Sequence, residues 1–250
     1  MSVIVIGDRA VGKTHMALAL AKEYKGSRVR IKDPSYETLR DQLQNVDTGE
    51  MIRTTEITKR PVKLQVELHK PEIIESVWVD TPGEMFESEW QKDHDIAWND
   101  FKQDIGQNIG IILLLPPYQQ IVSNNLLNQA TPDMTLERDD LMNTQNWCNN
   151  LENWLKFLNK NCSRVDNITI CLHKADLFCG NLDLEAQKTQ GHPVVRQRQV
   201  RNGYFAVAKE VIKRNNREAR PFQFFITSIN HRTLLEAPWL YLSPFILYHR

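Results

Sequence analysis

Short apolar blocks alternate with longer stretches of helical spacing along the chain. Residues 2–6 (SVIVI) are too few for a helix and read as a buried strand. A loop over 7–14 leads into a helix running to about Tyr24, with Met16, Leu20 and Tyr24 on one face and Ala17 and Ala21 beside them. Residues 33–51 are polar without a clear period and read as a long mobile loop. Residues 61–68 (PVKLQVEL) alternate as a strand does, and Pro61, which cannot donate to a ladder, predicts an edge. Residues 76–80 (SVWVD) read as its hairpin partner.

Farther on, 86–105 reads as a charge-rich helix carrying Trp90, Trp98 and Phe101. Residues 110–115 (GIILLL) are apolar throughout, as a central strand covered on both faces requires. After an Asn-rich insert, Trp147, Leu151, Trp154, Leu155 and Leu158 form a helical stripe. NITICL at 167–172 is another buried strand, and Val200, Tyr204, Val207 and Val211 align on a further helix. PFQFFIT at 221–227 is the last strand. Strands alternating with helices predict a three-layer α/β sandwich, a mostly parallel sheet with helices on both faces. No repeat and no Pro-, Gly- or Ser-rich linker divides the chain. One domain over 1–250 is expected, with inserts near 116–144 and 180–197. At 233–250 Pro238 and Pro244 break the apolar run LLEAPWLYLSPFILY, so a full helix is not expected there. The aromatic residues of that segment either fold back over the core or dock a partner. The first is favoured, because an uncovered aromatic tail invites aggregation.

Composition narrows the class. The 250 residues are 41 % hydrophobic and 25 % charged, which excludes a disordered chain. Lys+Arg 31 against Asp+Glu 31 leaves no net charge, which argues against a nucleic-acid binder working through its whole surface. Nine basic residues do cluster between 187 and 220, Lys188, Arg196, Arg198, Arg201, Lys209, Lys213, Arg214, Arg217 and Arg220, against Glu210 and Glu218. They read first as a solvated helix face, and otherwise as a site for an acidic partner or nucleic acid, though no aromatic interleaving supports single-strand binding. Four cysteines without metal-type spacing predict buried thiols in a reducing cytosol. No leader, membrane span or lipid anchor is visible, so a cytoplasmic protein is expected.

Candidate chemistry starts at the first loop. Gly7-Asp8-Arg9-Ala10-Val11-Gly12-Lys13-Thr14 fits G-x-x-x-x-G-K-[ST] between a strand and a helix. Inward amides and a helix N-terminus suit phosphate, Lys13 suits the β- and γ-phosphates, and the Thr14 hydroxyl suits Mg²⁺. Asp80-Thr81-Pro82-Gly83 closes a strand. Asp80 there is a candidate for Mg²⁺ through water, and the Gly83 amide for a γ-phosphate.

The ordered set GDRAVGKT, DTPG, HKAD (173–176) and TSIN (227–230) resembles the motif series of small, Ras-like P-loop GTPases and covers nearly the whole chain. The resemblance implies a G domain that binds GTP and GDP with Mg²⁺, hydrolyses GTP and acts as a switch. It implies an effector or regulatory protein meeting the switch regions and the apolar C-terminal segment. It places Lys174 and Asp176 on the guanine base, with Asp176 accepting from two ring donors that adenine lacks. His173 departs from the family's Asn. Ser228 and Ile229 match the weakest motif, whose backbone amides touch the guanine oxygen. Thr58-Lys59-Arg60-Pro61 with Val62 to Gln65 resembles a stretch of dynamin-type GTPases, which makes Thr58 the switch threonine for Mg²⁺, with Thr54 and Thr55 as rivals. Glu84 stands where Ras-like enzymes carry a water-orienting Gln. Arg9 stands where their loop usually has Gly. Arg9 is a candidate arginine in cis, a block to a partner's arginine, or a solvent-facing residue. A GTP-binding module with little hydrolysis and a P-loop ATPase are the alternatives.

Overall fold

In the computed structural model every residue is described except 1, 9–10, 45–56, 82–84, 87, 107, 130–139, 164, 190–192, 217–220 and 249–250. The described strands are β1 (Ser2–Gly7), β2 (Val29–Asp33), β3 (Thr58–Glu67), β4 (Pro71–Asp80), β5 (Gly110–Leu115), β6 (Asn167–Leu172) and β7 (Gln223–Ile226). They form one sheet in the order β2-β3-β4-β1-β5-β6-β7. From β4 to β7 neighbouring strands run parallel, while β3 is antiparallel to both β4 and β2. The described helices are α1 (Lys13–Ala21), α2 (Tyr36–Leu43), α3 (Ser88–Asp93), α4 (Asp95–Ile105), α5 (Asn124–Gln129), α6 (Thr144–Asn161), α7 (Leu182–Thr189), α8 (Pro193–Tyr204), α9 (Lys209–Asn215) and α10 (Arg232–Tyr248).

The expected three-layer α/β sandwich is the architecture observed. Successive residues of a strand point to opposite faces, so each central strand feeds two cores. Ile4, Ile6, Ile111, Leu113 and Ile170 pack with α4, α6, α8 and α9 on one face. Val3, Val5, Ile112 and Leu114 pack with α1, α2 and α10 on the other. All six residues of β5 and all six of β6 are buried, which explains the unbroken apolar run of β5; in β6 the buried Thr169 hydroxyl donates to the Ile111 carbonyl at 3.1 Å.

Several sequence expectations are corrected. The stretch read as a loop from 33 holds α2, which starts because the Ser35 hydroxyl accepts the Thr38 amide at 3.2 Å. The helix read as running to Tyr24 ends at Ala21, where Lys22 turns extended, and Tyr24 is 61 % exposed. The helix read over 86–105 is two helices that break at His94. Strand β3 is interior rather than an edge. Pro61 is tolerated because β2 pairs only with residues 63–66, so the N-terminal half of β3 has a single neighbour.

The largest correction is α10, helical through both Pro238 and Pro244. Two prolines cost the helix two amide donors. Packing overrides that cost, because Leu235, Trp239, Leu242 and Ile246 are buried against the sheet and Trp239 stacks on Trp78 at 5.9 Å. The apolar segment therefore covers the core along most of its length, leaving Tyr248 exposed at its end.

A buried ion pair fixes the start of α10. Glu236 accepts from Arg232 Nε at 2.6 Å, from Ser27 Oγ at 3.0 Å and from the Arg28 amide at 3.1 Å. Arg232 also donates to the Ala19 carbonyl at 2.5 Å and to the Val29 carbonyl. The pair clamps α10 to the end of α1 and the start of β2. Glu236→Ala leaves the guanidinium buried without its counter-charge and is expected to cost about 3–5 kcal/mol. Arg232→Met with Glu236→Leu is expected to cost less than that single change. Urea unfolding of the three proteins checks this; an unshifted midpoint for Glu236→Ala contradicts it.

Candidate functional site

Parallel strands put their carboxyl ends, and the loops that follow, on one edge of the sheet. Here β1 delivers Gly7 and the loop to Lys13, β4 delivers Asp80 and Thr81, β6 delivers His173 to Asp176, and β7 delivers Thr227 and Ser228. Antiparallel β3 begins at the same edge, with Thr58 paired to Asp80 in the ladder. For Asp80 the backbone alone is described. Arg9, Ala10, Thr54, Thr55, Gly83 and Glu84 lie outside the described residues.

Two glycines are demanded by this geometry. Gly7 has φ +154°, and a Cβ there would sit 2.2 Å from the Leu114 carbonyl oxygen of β5. Gly12 has φ +104°, and a Cβ there would sit 3.0 Å from the His173 ring. Any other residue at either position forces backbone or ring apart.

Lys13 opens α1 and turns back into the loop. Its Nζ donates to the carbonyls of Gly7 and Asp8, both at 2.8 Å, and the side chain is buried. The Thr81 hydroxyl also donates to the Gly7 carbonyl, at 2.9 Å. Val11 is fully buried in the core under α1, so only its backbone is open to a ligand. Thr14 is half-buried on the first turn of the helix.

The Asp8 side chain points away from the loop interior, a role its place in the motif did not reveal. It accepts from Trp154 Nε1 at 2.8 Å and from Asn150 Nδ2 at 2.5 Å, both on α6. Burial raises its carboxyl above the usual range, while these two bonds and the Lys13 charge act in the opposite sense. Trp154 was read in the sequence only as part of a core stripe, and Asn150 beside it was not singled out. A buried indole whose N–H meets a loop carboxylate has no signature in hydrophobic spacing.

His173 is the hinge between the two motifs. Its Nδ1 bonds the Thr227 hydroxyl at 2.9 Å, its amide donates to the Leu115 carbonyl at 2.9 Å, and the far edge of its ring lies against Gly12. Burial, helped by the charges of Lys174 and His15, pushes its pKa down to about 3, so the ring is neutral at physiological pH. Lys174 next to it adopts the left-handed conformation, φ 60° and ψ 47°. That turn sends its side chain past the phosphate loop, with Cε 4.0 Å from the position a Gly12 Cβ would take. Burial lowers the Lys174 pKa, and Asp176 opposes that shift. Asp176 sits on the following 3₁₀ turn and accepts from the Ser228 hydroxyl. Ser228 Oγ in turn accepts the Asn230 amide at 3.1 Å. Ser228 is fully buried and Ile229 is 39 % exposed.

The structure thus brings Lys13, Thr14, Thr58, the Asp80 backbone, His173, Lys174, Asp176 and Ser228 to one edge. Among the described residues no cluster of His, Cys, Asp and Glu could hold a metal by itself. Thr14, Thr58 and Asp80, delivered to the same edge, are oxygen-donor residue types, a sparse set of the kind that would suit Mg²⁺, which keeps several waters, better than a dedicated protein cage.

No family model matches the chain, and no characterised protein matches it in sequence. Solved structures do align with it. One is a crystal structure of a variant of SsGBP, with TM-score 0.43 and 15 % identity over 100 % of this chain and 57 % of that one. Another is translation elongation factor SelB from Methanococcus maripaludis in complex with the GTP analogue GPPNHP, with TM-score 0.40 and 11 % identity over 99 % of this chain and 33 % of that one. This chain therefore spans about half the length of the first and a third of the second. The chemistry of the site rests on its own residues.

The buried neutral histidine has a measurable consequence. The His173 pKa is about 3 folded, against an ordinary value of 6.5. Between those values the unfolded chain binds a proton that the folded chain lacks, so stability falls as pH drops below about 6.5. At pH 5 the expected loss from this residue is about 2 kcal/mol. His173→Asn is expected to flatten that slope. Urea midpoints at pH 7 and pH 5 for both proteins check it; equal slopes contradict it.

Proposed function

We propose that the chain binds GTP and hydrolyses it to GDP and phosphate with Mg²⁺, as a nucleotide-dependent switch. The observation that carries this reading is the contact between the two motifs. Lys174 and His173 reach Gly12 from the loop after β6, so the 7–14 loop and the Asp176 turn are direct neighbours. A mononucleotide with phosphates on the first and a base on the second would span that junction. The motif order GDRAVGKT, DTPG, HKAD and TSIN supports the same reading.

In this reading the amides of the loop and the N-terminus of α1 hold the phosphates, with Val11 contributing backbone only. Lys13 sets the loop's curvature through its two carbonyl bonds and brings its charge to the β- and γ-phosphates. Thr14, Thr58 and Asp80 would hold Mg²⁺, which when bound would supply positive charge beside the phosphates. Lys174 lies along the base, and Asp176, oriented by Ser228, accepts from two guanine donors. Adenine presents no such pair, so it leaves the carboxylate unmatched. Glu84 and Arg9 are the residues that set the hydrolytic rate, the first by orienting water and the second by adding positive charge in cis.

Binding of a fluorescent guanine nucleotide, with GTP and ATP as competitors, tests the base. GTP is expected to compete better than ATP by a factor on the order of 10² or more. Asp176→Asn is expected to lose on the order of 2–4 kcal/mol of guanine binding and to favour xanthine. Unchanged guanine affinity in that variant contradicts the assignment.

Lys13→Ala is expected to abolish binding. It should also cost the fold about 1–3 kcal/mol, because two loop carbonyls lose a buried donor. Full-affinity binding by the folded variant refutes the role of Lys13. Single-turnover phosphate release from saturated protein tests hydrolysis. A rate equal to that of uncatalysed GTP replaces the switch enzyme with a GTP-binding module.

A further inference from the structure

The cluster of basic residues seen in the sequence does not spread into an even solvated face. Part of it converges on a groove between α8 and α9. The groove encloses about 820 Å³ and is lined by Arg201, Asn202, Lys209, Lys213 and Asn216, with Phe205 and Ile212 among its apolar walls. Arg201, Lys209 and Lys213 are exposed, and none has an ion-pair or hydrogen-bond partner among the described residues. The contrast with nearby cations is direct. Lys156 and Arg214 both face Glu152, at 3.2 and 3.6 Å. Among the described residues no carboxylate lines the groove, and Glu210 of α9 is not among its walls.

The neutral side chains point the same way. Asn216 Oδ1 is taken by the Phe222 amide at 3.0 Å, so what remains of that amide group is its NH₂ donor. Every wall residue with a charge is therefore a cation, and Asn216 adds a donor. The chain as a whole is neutral, so this is a local field and not a general attraction for anions. Phe205 and Ile212 are buried, at 0 % and 3 % exposure, so the groove offers a ligand its charged and amide side chains rather than an apolar floor.

We propose that this groove docks an acidic peptide segment of a partner protein. Charge complementarity selects the peptide's carboxylates. Nucleic acid fits less well. Single strands are held by stacking on exposed rings, and the one ring in the groove, Phe205, is fully buried. A duplex needs a longer stripe of phosphate contacts than three cations supply. The site is separate from the edge that carries the phosphate loop, and the proposal does not depend on the nucleotide reading.

The test is fluorescence anisotropy of the full chain with a labelled peptide of alternating glutamate and leucine residues, without added nucleotide. The variant carries Arg201→Glu, Lys209→Glu and Lys213→Glu. The control carries Lys22→Glu, Lys25→Glu and Lys32→Glu, exposed lysines elsewhere that remove the same charge. The groove variant is expected to weaken peptide binding by at least about tenfold, and the control by less than about threefold. Arg201→Gln with Lys209→Gln and Lys213→Gln, a milder change, is expected to weaken binding as well, and supplies the result should the charge reversal unfold the chain. Equal losses in groove variant and control overturn the proposal, as does no binding of the peptide to wild type. Tighter binding of an oligouridine, lost in the groove variant, overturns it in favour of nucleic acid.

Discussion

A buried ammonium group holds the phosphate loop in shape. Lys13 Nζ bonds the carbonyls of Gly7 and Asp8 from inside the turn, and Thr81 adds a third donor to the Gly7 oxygen. Curling a backbone this tightly turns carbonyls inward, where water cannot reach them, and buried carbonyls without donors are costly. Lys13 and Thr81 supply the donors. The same curl requires Gly7 to pass the Leu114 carbonyl of β5 closer than any Cβ permits. The loop's geometry is thus set by one cation, one hydroxyl and one glycine, and the neighbouring motifs are arranged around it.

Two supports reach that loop from different layers. Trp154 and Asn150 on α6 grip the Asp8 carboxylate, and the His173 ring, held by Thr227, abuts Gly12. The first links the loop to the helix layer on one face of the sheet. The second links it to the turn carrying Lys174 and Asp176. A shift of the loop therefore has to break a charge-assisted bond to α6 or push a buried ring away from β7. His173 does this positioning while neutral, because burial keeps the proton off it. An Asn at that place has amide atoms for the same contacts but no ring edge to lay against Gly12.

The sheet and the loop edge were legible in the sequence because their constraints are local and periodic. Buried parallel strands favour mostly apolar runs, and 110–115 and 167–172 are largely of that kind. A loop of the G-x-x-x-x-G-K-[ST] type needs glycines at fixed spacing between strand and helix, and residues 7–14 show it. What escaped is decided by partners distant in sequence. Strand β2 is five residues, VRIKD, whose alternation of Val29 and Ile31 with polar neighbours is too short to mark a strand until β3 pairs with it. Helix α10 violates local proline rules and survives on Trp239, Leu242 and the Arg232–Glu236 clamp. Trp154 looked like core, since spacing reports which face a residue occupies and not what its N–H meets.

Buried charge shows how this neutral chain uses its ionisable residues. Lys13, Arg232, Glu236 and Asp8 each have partners among backbone carbonyls, hydroxyls, amides or an indole, and Arg232 and Glu236 also meet each other's charge. Neutral dipoles satisfy an ion without committing a second ion to burial, and they leave its charge visible to whatever enters the site. The clamp at α10 uses the other arrangement, pairing the Arg232 guanidinium directly with Glu236. The molecule thus satisfies the Asp8 carboxylate through an indole and an amide of α6, and the Glu236 carboxylate through a guanidinium one turn away on its own helix.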